Sequence, residues 1–283
     1  MHERSKNEFT CDNCGASLQG RWCHHCGQKR LGEGDRRFGH LLGQFAHELF
    51  HADGKVPATL TTLLFRPGRL TRAYLDGQRV RYLTPIALFL LINLVYFLAP
   101  PLTDFNLDLD NQLYQPYGEL IRPLVDRRAE EAYSSMAEFR DAYDQRVHRV
   151  AKSLIILHLP LLALVLLVLN WRHRMFYAEH FVIASHLFSF LLAALLVVAV
   201  LFAAYHGVAR VADLPAPAAW VQTISQWGFL LLVLVWWLVA LRRCYMTGWL
   251  RAMASLVGWV AGLLLVHLFI YRPVQFFVVL AWL

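Results

Sequence analysis

The chain has 283 residues, of which 57% are hydrophobic and only 17% charged, with a mean hydropathy of +0.40 and a net charge of +7. Soluble domains are about one quarter charged and less than half apolar. The composition therefore excludes a soluble enzyme, a disordered regulator and a disulfide-rich secreted scaffold. It predicts an all-α integral membrane protein, which we divide into residues 1–30, 31–81 and 82–283.

Four of the five cysteines lie close together near the N-terminus, and the fifth, Cys244, stands alone. They form two C-x-x-C pairs, each followed by a glycine that lets the backbone turn around an ion: Cys11, Cys14, Cys23 and Cys26. This spacing predicts a ribbon with one structural Zn²⁺, and two disulfides or a redox C-x-x-C are the alternatives. His24 and His25 are substitute ligands by position, although four thiolates already close a tetrahedral site.

The polar N-terminal segment bears on location and partners. Residues 1–37 lack the apolar stretch of a secretory signal, which predicts that the ribbon, residues 1–30, stays in the cytosol. Residues 1–37 hold seven basic and five acidic residues, and their aromatic surface is little more than Phe9 and Trp22. A nucleic-acid interface needs more positive charge than this, so we expect a protein partner at the ribbon and no nucleic acid.

Residues 38–81 predict amphipathic helices that lie at the membrane interface. Apolar residues recur at helical spacing between Phe38 and Leu49, and a second short helix runs from residue 59 to 65. We expect five arginines to contact anionic membrane lipids, or alternatively only to set the topology: Arg66, Arg69, Arg72, Arg79 and Arg81.

The same region contains an H-E-x-x-H sequence, in which His47 and His51 would share a helical face and Glu48 would activate a water. Further ligands for a second metal site would come from the start of the third predicted span, at Glu179, His180 and His186. The alternatives are a chance pattern at 47–51 and, at 179–186, a helix N-terminal carboxylate with histidines hydrogen-bonded to neighbouring carbonyls. We expect the two groups of side chains to lie apart and Glu48 not to be catalytic.

Apolar runs predict five transmembrane helices, since about 20 residues cross a bilayer. They cover about residues 82–99, 154–171, 180–205, 221–241 and 252–271. The tail, residues 273–283, either extends the fifth helix or lies along the interface. Of the 27 lysines and arginines, 18 fall on the side of the N-terminus, which predicts a cytosolic N-terminus and an extracytoplasmic C-terminus.

The long loop between the first two spans, residues 102–152, is acidic and extracytoplasmic in this topology. Its second half predicts a helix that pairs with a second subunit or packs on its own domain, through Ala132, Met136, Phe139, Tyr143, Val147 and Val150. The heptads are too few for a coiled coil, so oligomerisation stays open. His158, His206 and His267 lie toward the outer leaflet in three spans and are candidates for a proton or metal path.

Several motifs resemble those of one bacterial family of zinc-ribbon membrane proteins known only as a domain of unknown function. They are the two C-x-x-C-G sequences, D-G-K at 53–55, R-P-G at 66–68, G-x-R-x-R-Y-x-x-P at 77–85 and E-H-F-V at 179–182. The resemblance covers most of residues 11–100. It implies the cytoplasmic membrane and this architecture, but no activity.

The leading functional hypothesis is a non-enzymatic interaction or accessory protein whose ribbon binds a partner. A small-molecule or ion transporter is the first alternative, and a zinc metallopeptidase at the membrane face is the second. The chain has no phosphate-binding loop and no nucleophile elbow, so an ATPase or serine hydrolase has no support.

The predicted topology can be tested with terminal reporters. A reporter that works only in the cytosol should be active when it is fused before Met1. A reporter that works only outside should be active when it is fused after Leu283, because five spans put the termini on opposite sides. Reporter activity on the same side at both termini would show that the number of spans is even.

Overall fold

The computed structural model describes residues 9–30, 54–98, 105–133, 135–212 and 219–283. Within these ranges the chain is helical and contains no strand, only two isolated bridges inside the ribbon. The α-helices are α1 (Lys55–Phe65), α2 (Arg69–Leu75), α3 (Pro85–Leu98), α4 (Leu109–Leu113), α5 (Gly118–Ala132), α6 (Met136–Leu154), α7 (His158–Leu169), α8 (Tyr177–Val211), α9 (Ala219–Tyr245), α10 (Trp249–Val266) and α11 (Arg272–Ala281).

Among the described residues, three helices are long and apolar enough to cross a membrane: Tyr177–Val211, Thr223–Tyr245 and Trp249–Ala281. They coincide with the last three predicted spans, which confirms a membrane protein with all-helical architecture. The third of these helices is α10 and α11 joined through a π-helical turn, His267–Tyr271. The tail therefore extends the last span past Pro273 and does not lie along the interface.

The first two predicted spans are apolar helices, but each is shorter than a bilayer requires. Helix α3 has 14 residues, about 21 Å at 1.5 Å per residue. Helix α7 follows α6 after a bend of 52°, and only the two segments together are long enough to count as a fourth span. Five spans stay a prediction for this reason.

Helix α8 is the centre of the bundle. Almost every side chain from Phe181 to Ala194 is buried, and helices α1, α2, α3, α7 and α9 pack around it. Helices α1 and α2 bury one face each against this bundle, with Leu63 and Tyr74 almost fully enclosed. Part of the segment predicted to lie at the membrane interface is thus packed against the spans.

Two glycines one helical turn apart, Gly258 and Gly262, let α10 approach α7 closely. A Cβ added at Gly262 would lie 2.4 Å from Val165 Cγ1, and one at Gly258 would lie 2.5 Å from Leu169 Cδ2. Small residues at this spacing are common where helices associate in membranes, because they let the backbones approach closely and so increase van der Waals contact.

The described part of the loop predicted at 102–152, residues 105–133 and 135–152, forms a small helical unit at the end of the bundle opposite the ribbon. Its core contains Phe139, Tyr143, Val147 and Val150, and these side chains pack on Phe276, Val279 and Leu280 of α11. Of the two predicted arrangements, packing on its own domain is the one that the structure shows. Met136 is 37% exposed and does not belong to this core.

A buried polar network joins this unit to the bundle. Arg272 donates to the carbonyl oxygen of Phe105 over 3.0 Å and to His267 Nε2 over 3.2 Å. His267 Nδ1 lies 3.2 Å from His158 Nε2, and Gln112 donates to the Arg272 carbonyl. Two of the three histidines predicted in the outer leaflet therefore meet, whereas His206 contacts the rings of Phe202 and Tyr205 on the exposed part of α8.

The glycine contact can be tested by adding volume at one of its members. Gly262→Leu should destabilise the purified protein by about 1–3 kcal/mol, because the new side chain overlaps Val165 and overpacking has costs of this size. The loss of stability is measured as a decrease in the melting temperature of the protein in detergent. The control is Gly207→Leu, since a Cβ at Gly207 meets nothing within 4 Å. Equal melting temperatures for the two variants would contradict the contact.

Candidate metal centre and the adjoining pocket

The ribbon consists of two tight turns with the same hydrogen-bond pattern. In the first, the Gly15 N–H donates to the Cys11 carbonyl and the Cys11 N–H donates to the Ala16 carbonyl, both over 2.8 Å. The second turn repeats this pattern around Cys23 and Gly27. Gly15 has φ 74° and Gly27 has φ 72°, a left-handed conformation that other residues rarely adopt. This explains the glycine after each C-x-x-C.

The two turns bring the four cysteine sulfurs together. All four lie within 4.8 Å of one another, and the pairs Cys11–Cys26 and Cys14–Cys23 are each 3.6 Å apart. A disulfide needs about 2.0 Å, so the thiols are free. A tetrahedral ion 2.3 Å from each sulfur would separate the sulfurs by about 3.8 Å. The four cysteines therefore form a site that fits a metal ion, and His24 and His25 lie outside it.

The ribbon is held against the membrane-spanning part of the chain. Gln28 is only 5% exposed, and its side-chain oxygen accepts from the Arg79 N–H over 3.4 Å. Gly77 has φ 90°, and a Cβ there would lie 3.0 Å from the Asp12 Cβ. The glycine is needed both for its backbone conformation and for this close approach. The ribbon is thus a docked element rather than a tethered one.

A pocket of about 400 Å³ lies where the ribbon, α2, the start of α8 and the end of α9 meet. Its polar lining comes from these four elements and from the connection between α7 and α8: Asp12, Arg72, Asp76, His173, Glu179 and Tyr245. Arg72 Nε donates to Asp76 Oδ2 over 3.0 Å, which neutralises one pair of charges at the rim. Burial, assisted by the positive charge of Arg251, lowers the pKa of His173, so this ring is neutral near pH 7. The lining of the pocket therefore includes both positively and negatively charged side chains.

Two histidines predicted from the sequence lie buried next to this pocket, but they face different elements. His180 Nδ1 is 2.8 Å from the Tyr245 hydroxyl, and His186 Nδ1 is 3.0 Å from Thr71 Oγ1. Glu179 Oε2 accepts from the Phe176 N–H over 2.8 Å and so caps the start of α8. Within the described residues the ribbon cysteines are the group close enough to share an ion. All three side chains therefore have hydrogen-bond partners, although the partners of the two histidines are hydroxyl groups rather than the expected carbonyls, and their role as metal ligands stays a prediction.

The H-E-x-x-H sequence, with His47, Glu48 and His51, lies outside the described residues. Its metal and catalytic roles therefore stay hypotheses, as does its expected separation from His180 and His186.

The five arginines predicted at lipid headgroups fall into two groups. Arg66, Arg69 and Arg81 are exposed. Arg72 forms an ion pair with Asp76, and the Arg79 guanidinium lies 4.5 Å from the centre of the Tyr74 ring. The Arg81 guanidinium lies 5.8 Å from the centre of the Tyr82 ring. Arg72, Arg79 and Arg81 therefore have partners within the protein, and lipid contact by the five arginines stays a prediction.

The pocket also contains residues that the sequence did not single out. Asp12 and Tyr245 are more than 200 residues apart in the chain and meet only through the tertiary fold. The G-x-R part of the motif at 77–85 was the one available signal, because Gly77 and Arg79 are the two points of contact with the ribbon.

Comparison with known proteins adds one finding. Residues 53–97 match the model of a family described as a protein of unknown function (DUF3667). This segment comprises α1, α2 and most of α3 and includes the R-P-G and G-x-R-x-R-Y-x-x-P motifs. Neither curated proteins nor solved structures give a match. The match supports the resemblance over less than half of the chain and carries no activity with it.

The metal centre can be tested by metal analysis. The purified protein should bind one equivalent of metal, and Cys14→Ser combined with Cys26→Ser should lose it, because two sulfurs cannot close the site. Cys244→Ser is the matched control, since Cys244 is buried in the helical bundle and is not one of the four clustered cysteines, so this variant should leave the metal bound. A full equivalent of metal in the double variant would contradict the assignment.

Proposed function

We propose that the protein is a membrane-embedded accessory protein whose zinc ribbon is a fixed platform for a cytosolic protein partner. The observation that carries this proposal is the docking of the ribbon. Contacts at Gly77 and Arg79 hold it against the connection between α2 and α3, while its largest side chains remain exposed.

The exposed surface of the ribbon has the composition of an interaction site. Trp22 is 63% exposed and Phe9 is 43% exposed, and the Arg30 guanidinium lies 3.3 Å above the Phe9 ring. Tryptophan and arginine are enriched among residues that dominate protein–protein binding energies. The tight turns hold these side chains in place before binding, which reduces the entropy lost on association.

Zinc is the ion that best fits this proposal. Four thiolates in a tetrahedral arrangement favour zinc over calcium or magnesium, which prefer oxygen ligands. Four protein ligands leave no open position for a substrate, so the ion would stabilise the ribbon and would not catalyse a reaction. The distribution of lysines and arginines supports a ribbon on the cytosolic side, the apolar runs support five spans, and the family resemblance supports a bacterial inner membrane.

Transport of a small molecule or ion is a second candidate, favoured by two sets of polar groups along α8. One is the pocket above His180 and His186, and the other is the pair of His158 and His267. The Phe188 ring is stacked on His158, and Leu187 and Phe188 are almost fully buried between the two sets. A path along α8 would require these side chains to move, so we rank transport second.

The platform can be tested with a photo-crosslinking amino acid at position 22 in cells. A discrete adduct should form on the cytosolic side, and once its protein is identified and purified, Trp22→Ala should weaken binding at least tenfold. The control is Tyr114→Ala, since Tyr114 is an aromatic residue 86% exposed in the helical unit at the other end. Equal affinity for the Trp22 variant and the control would contradict the proposal.

A further inference from the structure

An apolar groove runs between α8 and α9 on the outside of the bundle. It has a volume of about 750 Å³ and is lined entirely by apolar residues, including Ala194, Val198 and Leu201 of α8 and Gly228, Leu232 and Val235 of α9. Both helices are long enough to cross a bilayer. The open side of the groove therefore faces the acyl chains of the surrounding lipid.

The end of the groove nearer the ribbon is closed by well-ordered contacts. The Phe190 and Trp236 rings are stacked with their centres 3.8 Å apart, and Trp236 Nε1 donates to the Leu64 carbonyl over 3.2 Å. Phe65 and Pro67, at the end of α1, complete the lining at this end. The groove is thus a slot with a rigid floor, and its shape is set by packing.

Positive charge is concentrated at this closed end. Arg243 NH1 donates to the Pro67 carbonyl over 2.5 Å, which places its guanidinium beside a residue that lines the groove. Arg66 lies between the lining residues Phe65 and Pro67 and is exposed. No acidic residue lines the groove. An apolar slot with two guanidinium groups at one end is complementary to an amphipathic molecule with a negatively charged head.

We propose that this groove is a binding site for one anionic membrane lipid. An acyl chain occupies the slot between α8 and α9, and the lipid phosphate pairs with Arg66 and Arg243. An acyl chain gains little binding free energy when it moves from the bilayer into the slot, because both surroundings are apolar. The arginine–phosphate pairs therefore determine which lipid binds, and the slot determines where it binds. This proposal does not depend on a partner at the ribbon.

The test is native mass spectrometry of the full chain in detergent, titrated with phosphatidylglycerol or with phosphatidylcholine. The wild type should retain one phosphatidylglycerol and prefer it over phosphatidylcholine at least tenfold. Gly228→Trp should abolish retention, because a Cβ at Gly228 enters open space in the groove. Gly207→Trp is the matched control, since Gly207 lies on α8 in equally open space and does not line the groove.

The charge is tested separately. Arg243→Gln should reduce the preference for phosphatidylglycerol at least threefold while leaving phosphatidylcholine binding unchanged. Equal binding of the two lipids by the wild type would overturn the proposal. Full retention of phosphatidylglycerol by Gly228→Trp would also overturn it. A dimeric wild type that becomes monomeric in Gly228→Trp would overturn it as well, because the groove would then be an interface between two copies.

A second readout covers the case in which Gly228→Trp does not fold. Phosphatidylglycerol with a photoactivatable group at the end of one acyl chain is bound to the wild type, and the labelled peptides are mapped. Labels confined to the segments 194–201 and 228–239 support the groove. Labels spread evenly over the lipid-facing surfaces of α9 and α10 would overturn it.

Discussion

The arrangement of the whole chain depends on the close packing around the first half of α8. Inside a membrane the hydrophobic effect does not drive helices together, because lipid is as apolar as the side chains, so association relies on shape and on buried hydrogen bonds. Phe181 to Ala194 meet this requirement by contacting five other helices at once. At 35 residues, α8 is about 52 Å long and extends well past these neighbours.

Both candidate sites follow from this one helix. At its N-terminal end, α8 is enclosed by α2 and α9, and the ribbon closes the remaining opening to form the polar pocket. In its second half α8 loses most of its neighbours, and side chains such as Val200 and Leu201 are exposed. Helix α9 is the neighbour that continues alongside, so the space between the two remains an open apolar groove. Helix α8 thus has the polar pocket at its N-terminal end and the lipid-facing groove along its second half.

The sequence predicted those features that depend on local spacing. The four cysteines could be assigned because a C-x-x-C-G turn carries its own hydrogen bonds and its own left-handed glycine, and the three long spans could be assigned because their apolar runs exceed the bilayer thickness. The lengths of α3 and α7 were less predictable, since an apolar run does not show where a helix bends. Most contacts between distant segments left no local signal, such as the packing of Gly262 on Val165 and the hydrogen bond from Arg272 to the Phe105 carbonyl.

The packing of α11 on the helical unit of residues 105–154 sets an order for the assembly of the protein. Phe276, Val279 and Leu280 supply one wall of the core of that unit, and they lie more than 100 residues further along the chain than the helices that supply the other walls. The helices of the unit are therefore synthesised well before α11, yet the apolar core of the unit stays incomplete until α11 packs against it. The placement of α11, rather than the synthesis of the unit itself, is therefore the step at which this part of the molecule becomes resistant to proteases.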